Sequence, residues 1–196
     1  MKTPVMRMLA MATLLAAGLG AGTGAYAGPR TVTAPDAPRA LEVQGPVQVN
    51  WTDPSQFTEI RSSHNRWESE RGNWVEGLAT HLRKRAEQQL APGQTLDVTF
   101  TDIKRAGDYE PWHGPRLTDV RVMRDIYPPR ITLQYTLKAA DGSVLAEGER
   151  KLSDTGYLMN VGPASNTDPL RYEKQMLDDW LRRDLKPAGY ASAQGR

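Results

Sequence analysis

The chain contains no cysteine. A disulfide framework, a thiolate metal site, a cysteine nucleophile and a lipid-anchor cysteine are thereby excluded. Histidine is scarce too, with three in 196 residues: His64, His81 and His113. None stands four residues from another, so the H-E-x-x-H zinc pattern is missing. No G-x-S-x-G elbow is present, and a serine triad would have to draw its members from distant segments. Gly22-Thr23-Gly24-Ala25-Tyr26-Ala27 matches a dinucleotide fingerprint by letter, but it follows no strand and opens no lasting helix. No metal and no cofactor are expected.

Net charge is also low, at +2. Lys2 and Arg7 lie in an N-terminal segment expected to be removed, which leaves 23 basic against 23 acidic residues. A neutral chain has no global pull toward nucleic acid or anionic membrane, so neither is an expected partner. Apolar residues make up 39% and charged residues 24%, within the range of a globular domain. A domain of roughly 140–150 residues buries about two-thirds of its unfolded surface, enough for a core without staples.

The N-terminus carries a secretory pattern. Lys2 and Arg7 precede an apolar run of 15 residues, Met8 to Gly22. Ala25 and Ala27 then form a small-residue A-x-A exit before Gly28. The run is shorter than the roughly 20 residues needed to span a bilayer. Residues 1–27 are therefore expected to be a cleaved signal peptide, and no second long apolar run follows. Residues 28–45, with Pro29, Pro35 and Pro38, read as a flexible lead-in. Residues 46–186 read as one domain, and 187–196 as a flexible tail.

Periodicity orders that domain. Val47, Val49 and Trp51 alternate with polar residues and predict a strand. A helix is expected from Asn65, with Glu68 as capping-box partner, carrying Trp74, Val75, Leu78, Leu82, Ala86 and Leu90 on one face. Ala91-Pro92-Gly93 stops it. Leu96, Val98 and Phe100 form a second strand. A loop spans Lys104 to Thr118. Val120 and Val122 begin a third strand, which Pro128-Pro129 interrupts. Ile131 to Leu137 alternates again, and Asp141-Gly142 turns the chain into a partner strand over Val144 to Leu152. Asp168 and Pro169 open a last helix, with Tyr172, Met176, Leu177, Trp180, Leu181 and Leu185 on its apolar face and Pro187 at its end. The order β-α-β-β-β-α predicts an α+β fold: a mostly antiparallel or mixed sheet with both helices on one face.

Two segments carry candidate ligand-binding residues. Asp108, Glu110, Trp112 and His113 crowd into one loop, the setting in which binding groups tend to sit on a rigid frame. The bland alternative is Trp112 folded back as a plug among solvated charges. The second segment is Asp125-Ile126-Tyr127-Pro128-Pro129-Arg130. There Arg130 is a candidate, or a salt-bridge partner of Asp125, and the prolines suggest a strand edge or crossing. Arg121, Arg124, Arg130, Arg150 and Lys151 read as a solvated face rather than a basic stripe, because acidic neighbours interrupt them. His81 reads as a surface or boundary histidine, and His64 lies before the helix among Ser62, Ser63 and Asn65, where a serine triad would lack its elbow. Trp51, Trp74 and Trp180 read as core, leaving Trp67 and Trp112 free for ligands.

Four ordered blocks together resemble a known family. They are Val47–Pro54 with Phe57-Thr58, Gly93–Asp102 with Ala106–Asp108, Asp125–Ile131, and Asp168–Lys174 with Asp179-Trp180. The family is an exported bacterial one catalogued as domain of unknown function 3016. The resemblance runs from about Val47 to Leu185 and implies a Gram-negative envelope setting, hence the periplasm. It implies no activity. Three functions stay open. The first is a non-catalytic binding or adaptor domain whose partner is an envelope protein or a small ligand. The second is a small hydrolase using Asp108 or Glu110 with His113. The third is a structural or chaperone-like helper that pairs a sheet edge near Pro128 with its clients.

Overall fold

The structure is a computed structural model and describes residues 30–159 and 166–185. The expected signal peptide, residues 1–27, and the expected tail from Pro187 lie outside the described residues.

Four strands form one mixed sheet. β1 (Val47–Trp51) runs parallel to β2 (Thr95–Lys104), Val47 beside Leu96. β2 pairs antiparallel with β5 (Arg130–Lys138), and β5 with β6 (Val144–Ser153). The spatial order is β1-β2-β5-β6. A separate two-stranded pair, β3 (Asp108–Tyr109) with β4 (Arg121–Val122), stands beyond the end of β2.

The parallel pairing of β1 and β2 requires a crossover. Three helices supply it: α1 (Thr58–Arg61), α2 (Arg66–Glu70) and α3 (Trp74–Glu87). A final helix, α4 (Arg171–Asp184), packs against α3 and reaches β6. Strand alternation sends Val47, Val49, Leu96, Val98, Phe100, Ile131 and Leu133 into one core with Leu78, Ala79 and Leu82 of α3 and Leu177, Trp180 and Leu181 of α4. Each such Leu or Val removed from water contributes about 1.5–3 kcal/mol. Trp51, Trp74 and Trp180 lie in this core. His81 bridges the helices, its Nε2 2.9 Å from Asp178 Oδ1.

Several sequence expectations need correction. The helix expected to run on from Asn65 is two helices. Asn65 does cap α2, its Oδ1 accepting the Glu68 amide at 3.2 Å. Arg71 then turns extended and Gly72 adopts φ +89°. The lead-in fastens the break. Gly72 N–H donates to Arg30 C=O at 2.7 Å, and Val32 N–H to Glu70 C=O at 2.8 Å. From Arg30 onward that segment is therefore not a loose tether. It buries Val32 and Leu41, and Leu41 N–H donates to Val49 C=O at 2.9 Å on the outer side of β1. Val122 and Ile131 do not share a strand. The first belongs to β4 and the second to β5, an interior strand, so Pro128-Pro129 marks an entry and not a sheet edge.

α4 begins two residues later than expected. Asp168 Oδ1 accepts the Leu170 amide at 2.8 Å and so forms the turn that precedes the helix. Among the described residues no helix is long and apolar enough to cross a membrane.

Candidate functional site

The site begins with a flaw in β2. Leu96, Val98 and Phe100 alternate inward, but the register with β5 slips between Phe100 and Asp102. A bulge of this kind re-aims the residues after it. Asp102 now faces α1, where its carboxylate accepts the Thr58 amide at 2.6 Å and the Thr58 hydroxyl at 2.7 Å. That supplies the cap that α1 lacks from its own N-cap residue, Phe57. Ile103 and Lys104 both turn inward. Capping from β2 fixes Glu59, one residue further along α1, beside the end of that strand.

Glu59 is fully buried. Its Oε1 accepts from Arg105 Nε at 3.1 Å and Nη2 at 2.9 Å, and also from Arg121. Its Oε2 accepts from the Arg105 amide at 3.0 Å and from Lys104 Nζ at 3.3 Å. Burial pushes this carboxyl up, but the charges of Arg105, Arg121 and Lys104 outweigh it and hold Glu59 below the usual carboxylate range. The Arg105 guanidinium also lies over the Trp74 ring, 4.6 Å from its centroid, which joins the ion cluster to the apolar core.

The loop is fastened to this frame. Gly107 sits at φ +75°, and a Cβ there would stand 2.6 Å from Val122 C=O. Only glycine fits both the backbone angle and the close approach of the neighbouring strand. The Gly107 carbonyl accepts from Lys104 Nζ at 2.9 Å and Arg121 Nη1 at 3.0 Å. Its amide donates to Tyr127 C=O at 3.0 Å. From α4, Glu173 Oε1 accepts the Ala106 amide at 2.6 Å. Glu173 is buried, and its Oε2 has no partner among the described residues. Burial raises its pKa, only partly offset by the amides and by Arg105.

The sequence candidates fall into two sets. Asp108, Glu110, Trp112 and His113 come together. Asp108 is buried, 3.6 Å from Lys104 Nζ and 3.7 Å from His64 Nδ1. Glu110 is buried too, and its Oε2 meets both Arg124 Nη2 at 2.7 Å and His113 Nε2 at 3.1 Å. Its Oε1 accepts the Tyr127 hydroxyl at 3.0 Å. Burial and that bond raise the Tyr127 phenol. Trp112 is 56% exposed, so it is no plug. Its ring stands edge to face with His64, centroids 5.0 Å apart. Arg130 stays outside: it is exposed at the start of β5 and makes no ion pair with Asp125 among the described residues.

Of the five basic residues read as a solvated face, only Arg121 leaves it, while Arg124 and Arg150 are paired but stay partly exposed. Arg121 is committed to Glu59 and Arg124 to Glu110, while Arg150 pairs with Asp184 at 2.5 Å. Sequence reasoning missed Glu59, Lys104, Arg105 and the part His64 plays. One signal existed. Lys104 ends, and Arg105 follows, a strand whose alternation slips at Thr101-Asp102, which marks a bulge.

The loop layer therefore has an ion-paired floor and an aromatic and imidazole surface. That arrangement presents side chains for contact. No curated protein and no solved structure matches the chain. A family model matches residues 45–183, most of the chain and all four blocks that carry the resemblance. The chain belongs to the family described as protein of unknown function DUF3016.

Proposed function

We propose that this is an exported, periplasmic, non-catalytic binding domain whose contact surface is the loop layer around Trp112. The observation that carries the reading is an exposed tryptophan held on a buried charge network. Tryptophan is enriched among the residues that anchor binding surfaces. The carboxylates beneath it are spent on structure: Glu59, Asp108 and Glu110 are buried and faced by basic side chains. Export rests on the charged, apolar and small-residue order of residues 1–27.

The test is crosslinking in intact cells, then capture of the tagged full chain and mass spectrometry, for wild type and Trp112→Ala/His113→Ala. A partner found in the periplasmic fraction and lost in the variant is the expected result. Equal capture by both proteins removes the loop from the account, and fractionation with the cytoplasm removes the location.

One geometry keeps the hydrolase alternative in play. Buried Glu110 holds exposed His113 as an acid orients a general base. A periplasmic substrate screen with wild type and His113→Ala decides it, because equal turnover by both removes that role.

A further inference from the structure

The four-stranded sheet has two edges, β1 and β6, and they are finished differently. The lead-in closes the first: Leu41 N–H donates to Val49 C=O and Trp51 N–H to Arg39 C=O, both at 2.9 Å. Nothing among the described residues closes the second. β6 is ten residues long, lacks proline, and shares backbone bonds with no strand but β5. The one side chain that reaches its backbone is its own Arg150, whose Nη1 donates to Glu149 C=O at 3.1 Å. An edge of that length leaves a row of donors and acceptors that a further strand can take up.

The side chains select which strand fits. Glu147, Glu149, Lys151 and Ser153 share the exposed face of β6, while Arg150 and Leu152 turn toward α4 and the core. Across from Glu147, Glu149 and Lys151, β5 offers Thr136, Gln134 and Thr132, none of them charged. Lys151 and Glu149 of the same strand meet at 3.2 Å, but both are too exposed for that pair to count for much. The exposed face therefore runs from acid to base along the strand, and the same strand reversed is its complement. An antiparallel copy centred on Arg150 sets Glu149 opposite Lys151 on both sides of the axis, and Glu147 opposite Ser153. Centring on Gly148 or Glu149 would set acid against acid. Arg150 itself lies on the other face and is already paired with Asp184 at 2.5 Å. Edge charges ordinarily keep strands apart, but charges in this order admit one antiparallel partner.

We propose that two copies of this chain pair through β6, antiparallel about Arg150, which joins their two four-stranded sheets into one. The pairing does not rest on the Trp112 surface.

The experiment is sedimentation velocity on the chain as purified from cells, over about 5–500 µM, because a single pair of strands makes a small interface and a weak complex. A reversible monomer–dimer equilibrium is expected. Glu149→Lys and Lys151→Glu each turn both cross-strand pairs into like charges, so each should weaken the dimer at least about tenfold. Mixing the two single variants, or combining both changes in one chain, should restore association, because opposite charges then face each other again. That restoration also reports that the variants are folded. A monomer throughout the range overturns the proposal. So does a dimer that ignores the single changes, or one that stays weak in both the mixture and the double variant.

Discussion

Leu78 and Glu59 are equally sealed from solvent, at 0% exposure each, and they stand for two regions built by opposite means. Around Leu78 the sheet and the two long helices exclude water with apolar side chains that need only shape and alternation. Around Glu59 the loop layer excludes water while keeping its charges, and every charge must find a partner. The first region tolerates small errors of fit. The second does not, because a buried charge left alone costs far more than a methyl-sized gap. The molecule thus has a general-purpose scaffold and a purpose-built end, and the purpose-built end carries the exposed aromatic.

Breaking the ion network should cost most. Glu59→Ala strands three basic side chains and is expected to destabilise by about 3–5 kcal/mol in urea unfolding. Leu82→Ala in the sheet-and-helix half should cost about 2–5 kcal/mol. The two differ in pH response. Glu59 has a folded pKa below its unfolded one, so its contribution is present above about pH 4 and is lost as pH falls through the folded value. Leu82→Ala should keep that acid limb, whereas Glu59→Gln should flatten it.

Gly107→Ala comes next, at about 2–3 kcal/mol, because a side chain at φ +75° is strained and would meet Val122. Calorimetry of the variant should show a single transition at lower temperature. Glu173→Gln sharpens the comparison from the other side. Glu173 is as buried as Glu59 but its pKa shifts upward, so it favours the protonated state. Its contribution is present below about pH 4 and declines as pH rises through its folded pKa. Glu173→Gln should therefore lie within about 1 kcal/mol of wild type in acid and gain on it as pH rises. A widening deficit would place an ionised carboxylate there instead. Trp112→Ala should have the smallest effect on stability, within about 0.5 kcal/mol, because the ring is exposed.

The same comparison explains what was legible in the sequence. The apolar half writes itself as period: Val47, Val49 and Trp51 in a strand, Leu78 and Leu82 on a helix, Ile131 to Leu137 in a strand. Those residues reach the core because alternation in sequence is alternation in space. The ionic half has no period. Glu59 lies in the four-residue helix α1, and its partners Arg105 and Arg121 are 46 and 62 residues away. Nothing local marks a carboxylate for such partners. The crowding of Asp108, Glu110, Trp112 and His113 was visible, since it is short-range. Arg130 looked equivalent by composition, but it is exposed at the start of β5 and makes no ion pair with that group among the described residues. The helix break falls at Gly72, and the lead-in at Arg30, more than forty residues before it, is bonded to it there.

The buried ion network is expected to hold the loop layer as firmly as packing holds the sheet. Native-state amide hydrogen exchange tests it most directly at Arg105, Ala106 and Gly107, which lie outside the strands but donate to Glu59, Glu173 and Tyr127. These three amides are expected to exchange nearly as slowly as those of Val98 and Phe100. In Glu59→Gln they should exchange much faster while the strand amides hold. Fast exchange of all three in the wild-type chain would contradict that expectation.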